Sequence, residues 1–168
     1  MPRPNDVGVG VSVLIVRGDE VLLGLRKGAH GAGTWSAPGV WIDRADASIE
    51  AACAREPLEE AGIRLTGPTR RVCEHAEDYP ERGFRAVTLF RLATGYEGEP
   101  RVLEPDKCEE WRWFPLDAPP SPLFGGVGEA IRIVIARMDV EKRCAVAREE
   151  RERVRYWRRV AGQGGDGR

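Results

Sequence analysis

The sequence has few cysteines, no long apolar run and almost no net charge, and each absence argues against a class of protein. Four cysteines occur among 168 residues. They are scattered without a C-x-x-C pair, which argues against a zinc site and a disulfide framework. No apolar run approaches the roughly 18 residues of a membrane span. The net charge of −1 gives no general attraction to nucleic acid or to a membrane surface.

The composition is that of a globular protein. Hydrophobic residues make up 42% and charged residues 32% of the chain, as in ordinary globular domains. The first residues, M-P-R-P-N-D, lack the apolar stretch of a signal peptide. We therefore expect a cytoplasmic protein with reduced thiols, with neither a membrane nor a nucleic acid as partner.

Alternating and β-branched segments predict several strands. Val7–Val16 and Val21–Arg26 form a predicted hairpin around Gly18-Asp19. Phe84–Tyr96 alternates as a central strand, and Trp111 and Trp113 alternate in another.

Two further segments are less regular. Residues 63–74 predict a strand broken at Gly67-Pro68, whereas the polar residues 74–82 predict a loop.

Three helices are expected. The first begins after an N-cap at Ser48 and stops at Gly62, and the second covers Phe124–Met138. The third, Glu141–Arg159, carries eight basic and four acidic side chains. Such a helix is more often solvated than a docking element for RNA, an acidic partner or a sister subunit.

The expected organisation is a domain over residues 1–138, a basic C-terminal helix over 139–161 that packs on or projects from it, and a disordered tail over 162–168.

The stretch that organises the chain is R-E-P-L-E-E-A-G-I. Glu56, Glu59 and Glu60 stand at i, i+3 and i+4, so a helix presents all three carboxylates on one face. Like charges at this spacing repel, and Mg²⁺ or Mn²⁺ would reverse that repulsion. The alternative is a solvated acidic face. A second acidic cluster includes Glu104, a candidate further ligand or base.

A Gly-rich loop precedes this stretch. Arg26 and Lys27 lie at its entrance, and four glycines and a proline fall between Gly28 and Gly39. A basic pair in this position can meet phosphate oxygens, Arg by a bidentate fork and Lys as a point charge.

Together these segments resemble the Nudix box, whose pattern is Gly, five residues, Glu, seven residues, then Arg-Glu-apolar-x-Glu-Glu-x-Gly-apolar. The second half of the box matches at six positions, which are Arg55, Glu56, Glu59, Glu60, Gly62 and Ile63. The wider pattern is similar to the MutT-like subgroup from Val7 to about Met138.

The first half of the box departs from the pattern. Val40 stands at the box glycine, Asp46 at the first box glutamate, and one extra residue separates Asp46 from Arg55. Pro57 takes the apolar position after Glu56. Because proline lacks an N–H group, we expect either a kink at Glu56 or a new helical turn that begins at Pro57.

The resemblance implies an α+β fold, the Nudix α/β/α sandwich with a mixed sheet, here with an extra C-terminal helix. It implies a pyrophosphohydrolase that cleaves a phosphoanhydride in a nucleoside triphosphate or another nucleoside diphosphate linked to X. Homodimers are common in this subgroup. The alternatives are a nucleotide- or partner-binding module with little or no hydrolysis, and a scaffold that acts on a phosphorylated metabolite.

The resemblance also implies roles for individual residues. Glu56, Glu59 and Glu60 would ligate Mg²⁺ or Mn²⁺, and Glu104 would add a ligand or base. Arg55 would orient a box glutamate. The phosphates would meet Arg26 and Lys27, with the loop from Gly28 and Gly39 around them, and the base would stack on Phe124 or Trp35.

Overall fold

The computed structural model describes residues 7–28, 30–43 and 45–162. The strands in chain order are β1 (Val7–Leu14), β2 (Val16–Arg17), β3 (Glu20–Arg26), β4 (Trp35–Ser36), β5 (Gly39–Trp41), β6 (Arg64–Leu65), β7 (Thr69–Tyr79), β8 (Phe84–Ala93), β9 (Tyr96–Glu97) and β10 (Cys108–Pro115). The α-helices are α1 (Ile49–Ala61) and α2 (Val127–Gly162). A 3₁₀ turn, Pro80–Arg82, follows β7.

The strands form a mixed sheet and smaller antiparallel partners. The first sheet has the order β5-β1-β8-β7, in which β1 and β8 run parallel and the other neighbours are antiparallel. The second sheet has the order β10-β3-β2, with β4 paired to β3, and β6 pairs with β9. The predicted α+β class with a mixed sheet and a C-terminal helix is confirmed.

Helix α1 packs on β1 through small and β-branched side chains. Val11 and Val13 of β1 meet Ala52 and Cys53 of α1 in one core cluster, together with Leu22 of β3. All five are almost completely buried. This packing fixes which face of α1 is turned away from the core, and hence where its glutamates can lie.

The two ends of α1 are fixed by the residues that the sequence indicates. Ser48 Oγ accepts a hydrogen bond of 3.1 Å from the Ala51 N–H, as predicted for an N-cap. Gly62 follows the helix with φ of 70°, a left-handed conformation that glycine adopts without strain.

Pro57 lies inside α1, which is one continuous helix from Ile49 to Ala61. The expected new helical turn at Pro57 is therefore wrong. The proline ring is buried, and its carbonyl accepts from the Ile63 N–H at 3.0 Å beyond the helix end. Burial of the ring offsets part of the roughly 3 kcal/mol that proline costs in a helix interior.

Strand β7 replaces the loop that was expected at residues 74–82, and that expectation is wrong for residues 74–79. The pairing with β8 continues from Glu74 opposite Leu89 to Tyr79 opposite Phe84. The ladder hydrogen bonds hold this polar segment as a strand, although its composition resembles that of a loop. Gly67-Pro68 does interrupt the chain between β6 and β7, as predicted.

The two predicted C-terminal helices form one helix, α2. No glycine or proline separates Met138 from Glu141, so nothing in the backbone ends the helix there. Its first two turns, up to Val134, belong to the first compact unit, where Val127, Ile131 and Val134 are buried. The second unit begins at Ile135.

The described part of the second unit is helical to Gly162, and its apolar side chains are exposed at Val140, Val146, Val154 and Tyr156. The tail expected over 162–168 lies outside the described residues from 163 onward. Among the described residues, no helix combines the length and apolarity needed to cross a membrane.

Gly39 is predicted to be essential for the junction of β5 with β1. A Cβ at Gly39 would lie 2.4 Å from the Val11 carbonyl oxygen, whereas a Cβ at Gly28 would meet nothing within 4 Å. We expect Gly39→Ala to lower the free energy of unfolding by roughly 2 kcal/mol, because backbone must move. Gly28→Ala should change it by less than ~0.5 kcal/mol. Urea unfolding of both variants checks this; equal stabilities would contradict it.

Candidate functional site

The three glutamates of α1 have different environments. Glu56 is 4% exposed. The Glu60 carboxylate accepts a hydrogen bond of 3.1 Å from the Gly39 N–H, which ties the end of α1 to β5. The Glu59 side chain is 54% exposed. The helix therefore turns Glu56 and Glu60 inward, while Glu59 reaches toward solvent.

Arg55 binds three carboxylates. Its guanidinium donates to Asp46 Oδ1 at 3.2 Å from Nε, to Glu59 Oε2 at 2.9 Å from Nη1, and also to Glu56. Asp46 in turn accepts from the Asp43 N–H at 2.9 Å. Asp46 is therefore ion-paired with Arg55. These bonds give Arg55 the contacts expected of a residue that orients the glutamates.

Glu104 lies in a tight turn before β10. Its carbonyl accepts from the N–H groups of Lys107 and Cys108, each at 3.0 Å. Its carboxylate Oε1 accepts from Lys107 Nζ at 2.7 Å. The turn thus presents one acidic and one basic side chain together.

The carboxylates of Glu56, Glu60 and Glu104 line one cavity of about 430 Å³. Its charged lining residues are Arg26, Glu56, Glu60, Glu104 and Lys107. Its aromatic lining residues are His30, Trp41, Tyr79, Phe90, Trp111 and Phe124. A concave site that combines convergent charges with aromatic walls is the usual form of a small-molecule site.

The aromatic group centres on His30, whose ring lies 4.7 Å from Tyr79 and 5.3 Å from Phe124. Arg26 stacks over Phe124 with 4.2 Å between its Cζ and the ring centroid. The positive charge of Arg26 is also felt at Glu60. Arg26 is therefore close to both the aromatic and the acidic groups.

The cavity collects most of the predicted site residues. Arg26, Gly28, Gly39, Glu56, Glu60 and Glu104 line it. Arg55, Glu59 and Lys27 are not among its lining residues, although Arg55 contacts two of the box glutamates. Lys27 Nζ donates to the Pro105 carbonyl at 3.1 Å, so the structure shows it holding the turn of Glu104.

Of the two aromatic residues proposed to stack on a base, Phe124 lines the cavity. Trp35 is buried against Phe114 with 4.7 Å between ring centroids, and it is not a lining residue.

Several lining residues were missed from the sequence. Tyr79 falls in the segment that was predicted to be a loop, and Trp111 was predicted only as part of a strand. Lys107 stands between acidic residues in E-P-D-K-C-E-E, which is the signal that could have identified it. Thr88 points into the cavity from β8, which the alternation of that strand predicts only once its inward face is known.

The family follows from the comparison with known sequences. A family model described as NUDIX domain matches residues 6–136. The chain belongs to the Nudix domain family.

Individual relatives agree with this assignment. An oxidized purine nucleoside triphosphate hydrolase of Danio rerio is 36% identical over 108 residues, which are 64% of this chain and 66% of the relative. An NAD-capped RNA hydrolase NudC of Stutzerimonas stutzeri (strain A1501) is 30% identical over 112 residues, which are 65% of this chain and 37% of the relative. The chain thus spans slightly less than two thirds of one relative and about a third of the other.

Among solved structures, a MutT NUDIX hydrolase from Burkholderia pseudomallei superposes with a TM-score of 0.72 at 37% identity. The match covers 77% of this chain and 99% of that chain. The Nudix sandwich implied by the sequence is confirmed by this likeness.

The departure from the Nudix box at Val40 does not strain the backbone. Val40 lies in β5 as part of a regular antiparallel pair with Val11. The close approach that needs a residue without Cβ is made by Gly39. Strand β5 therefore accommodates Val40 at the position of the box glycine, with Gly39 directly before it.

We call the carboxylates of Glu56, Glu60 and Glu104 the acidic group of this Nudix domain. Nearby positive charge does not fully compensate its negative charge. Burial, together with the charges of Glu56 and Glu104, raises the pKa of Glu60 to about 7, although the Gly39 N–H and Lys107 oppose the shift. Burial also raises the pKa of Glu56, against the nearby charge of Arg55. Burial alone would lower the pKa of Arg55, but the hydrogen bond to Glu59 and the charges of Glu56 and Asp46 raise it.

The residues fit a hard divalent cation. Carboxylate oxygens from Glu56, Glu60 and Glu104 are the donors that Mg²⁺ and Mn²⁺ prefer. The described residues contain no group of three acidic, His or Cys side chains that already converges on one ion position. Arg55 and Lys107 hold the carboxylates of Glu59 and Glu104 in ion pairs instead. A cation would relieve the repulsion that these two residues offset only partly.

The raised pKa of Glu60 predicts a pH-dependent stability of the metal-free protein. The folded state holds a proton up to about pH 7, whereas a carboxyl of ordinary pKa 4.5 loses it earlier. The folded state therefore binds more protons between these values, and stability falls as the pH rises through them. The expected loss is roughly 3 kcal/mol in EDTA.

The control is Glu60→Gln, which keeps an oxygen to accept from Gly39 but cannot titrate. Urea unfolding at about pH 5 and about pH 8 should show a much smaller pH dependence in this variant. A wild-type protein that becomes more stable over this range would contradict the assigned burial of Glu60.

Proposed function

We propose that the protein is a hydrolase that uses Mg²⁺ or Mn²⁺ to cleave a phosphoanhydride bond in a nucleoside triphosphate or another nucleoside diphosphate linked to X. The observation that supports this proposal is that two groups of residues line the same cavity. The acidic residues are Glu56, Glu60 and Glu104, and the aromatic group is His30, Tyr79 and Phe124. A nucleotide needs both kinds of residue in one site, because its base stacks on aromatic rings while its diphosphate binds a cation held by carboxylates.

The acidic residues would bind the cation. Glu56, Glu60 and Glu104 would hold the cation, and Glu59 is exposed enough to join them by a change of rotamer. Such a cation, when bound, neutralises phosphate charge and lowers the pKa of water. Arg55 positions Glu56 and Glu59 through its fixed guanidinium.

The remaining lining residues would bind the ligand. Arg26 is held by two hydrogen bonds to the His30 carbonyl, at 3.2 and 3.0 Å, and stacks on Phe124. This leaves a fixed guanidinium beside the aromatic group, where it can meet a phosphate or a sugar oxygen. A base would stack on Phe124 or Tyr79, and Thr88 lines the same cavity as these rings.

The names of the relatives support the choice of substrate class. The Danio rerio relative is named for oxidized purine nucleoside triphosphates, and the Stutzerimonas stutzeri relative for NAD-capped RNA. Both names denote a nucleotide with a phosphoanhydride bond. We include oxidised purine nucleoside triphosphates first among the substrates to be tested.

Hydrolysis is tested with a panel of ordinary and oxidised nucleoside triphosphates and dinucleotides, with Mg²⁺ or Mn²⁺ present and with EDTA. Only with the metal do we expect release of phosphate or pyrophosphate from the triphosphates and of nucleoside monophosphates from the dinucleotides. Glu59→Gln and Glu60→Gln should each lower kcat by roughly 10²-fold, since a displaced ligand of the reacting groups has about this effect. Glu109→Gln, at an exposed position of β10, is the matched control and should retain activity.

Two outcomes would contradict the proposal. If nucleotides raise the melting temperature but no product forms with either metal, the chain is a nucleotide-binding module. If Glu109→Gln loses as much activity as Glu60→Gln, the effect does not come from the cavity.

A further inference from the structure

The feature that the function leaves unexplained is Lys107, the lysine among the described cavity-lining residues. Its backbone is fixed: its carbonyl accepts from the Lys27 N–H at 2.8 Å, and Lys27 Nζ binds the Pro105 carbonyl of the same turn. The turn is thus anchored to the end of β3 at two points. Whatever Lys107 does, its Cα stays beside the acidic group.

The side chain of Lys107, in contrast, is free to move. It is 69% exposed, and the ion pair that it forms is the one with Glu104, at 2.7 Å. An exposed pair of this kind contributes little to stability and rearranges easily. Arg55 differs, because it is 36% exposed and divides five hydrogen bonds among three carboxylates.

The position of Lys107 makes it sensitive to a cation. Its charge is felt at both Glu56 and Glu60, so its ammonium lies within electrostatic range of all three carboxylates of the cavity. A divalent cation that binds Glu104 competes with this ammonium for the same oxygen and repels it. The long, flexible side chain can then bind the phosphates of a ligand that enters the cavity that Lys107 lines.

We propose that Lys107 is an exchangeable counter-ion, which neutralises Glu104 in the metal-free protein and transfers to a phosphate oxygen of the ligand when a divalent cation takes Glu104. The phosphate half of this inference rests on the proposed function. The metal half does not, because it concerns only the competition for the Glu104 carboxylate.

The test is a pair of binding measurements on Lys107→Met. Without nucleotide, the variant should bind Mn²⁺ roughly three- to fivefold more tightly, because the cation no longer displaces an ion pair of up to ~1 kcal/mol. With Mn²⁺ present, it should bind a non-hydrolysable nucleoside triphosphate analogue roughly tenfold more weakly, since a charge-assisted hydrogen bond is lost. A lysine with a merely structural role would not shift the two affinities in opposite directions.

Three further variants sharpen the test. Lys107→Arg should restore most of both wild-type affinities. Lys142→Met removes the same charge in the exposed part of α2 and should change neither. In a Glu104→Gln background, Lys107→Met should no longer tighten Mn²⁺ binding, because the pair that the cation displaces is already broken.

The outcomes separate this inference from the proposed function. Unchanged or weaker Mn²⁺ binding by Lys107→Met overturns the inference even if the wild type hydrolyses nucleotides. Tighter Mn²⁺ binding with weaker analogue binding supports it even if no nucleotide is turned over. A wild-type protein that binds no Mn²⁺ overturns both.

Discussion

The candidate site depends on three carboxylates that the fold holds close together although they repel one another. Glu56 is buried on α1, Glu60 is held by β5, and Glu104 is presented by a separate turn. Bringing these charges out of water is unfavourable unless positive charge accompanies them. Arg55 and Lys107 supply part of that charge, but burial, together with the charges of Glu56 and Glu104, still raises the pKa of Glu60.

The surrounding architecture serves to keep that unfavourable arrangement in place. Helix α1 is capped by Ser48, ended by Gly62 and packed on β1 through Cys53 and Ala52. The Trp111 indole N–H donates to the Glu60 carbonyl at 3.2 Å and so fixes the last turn of the helix. The packing of the core therefore stabilises the fold enough to keep charged side chains in a cavity, which is a common arrangement at functional sites.

Much of the fold could be predicted, because its signals are local. The helix that bears the glutamates follows from its cap and stop residues, and strands β1 and β3 follow from their β-branched pattern. The predicted hairpin between them is wrong for most of its length, because β1 pairs with β5 and β8 and only β2 forms the hairpin with β3. The extension of β7 to Tyr79 could not be predicted, since it depends on pairing with β8 rather than on composition. The joining of the C-terminal helices was missed for a simpler reason: the interruption assumed after Met138 has no helix-breaking residue to cause it.

The candidate site was predictable only in part, since sequence spacing orders residues within one element but not between elements. The spacing placed Glu56 and Glu60 on one helix, whereas Lys107 lines the same cavity from a turn that is distant in sequence. The contact of Lys27 with this turn is a tertiary effect: Lys27 holds the turn, and the turn presents Lys107. The departures at Val40 and Pro57 likewise prove compatible with the strand and helix that contain them.

We infer that a divalent cation binds the carboxylates of Glu56, Glu60 and Glu104 and displaces Lys107 from Glu104. Anomalous diffraction from a crystal soaked with Mn²⁺ tests it most directly. We predict a peak bounded by the carboxylates of Glu56, Glu60 and Glu104, with the Lys107–Glu104 ion pair broken. A soaked crystal that shows no peak and keeps the Lys107–Glu104 ion pair intact would contradict this.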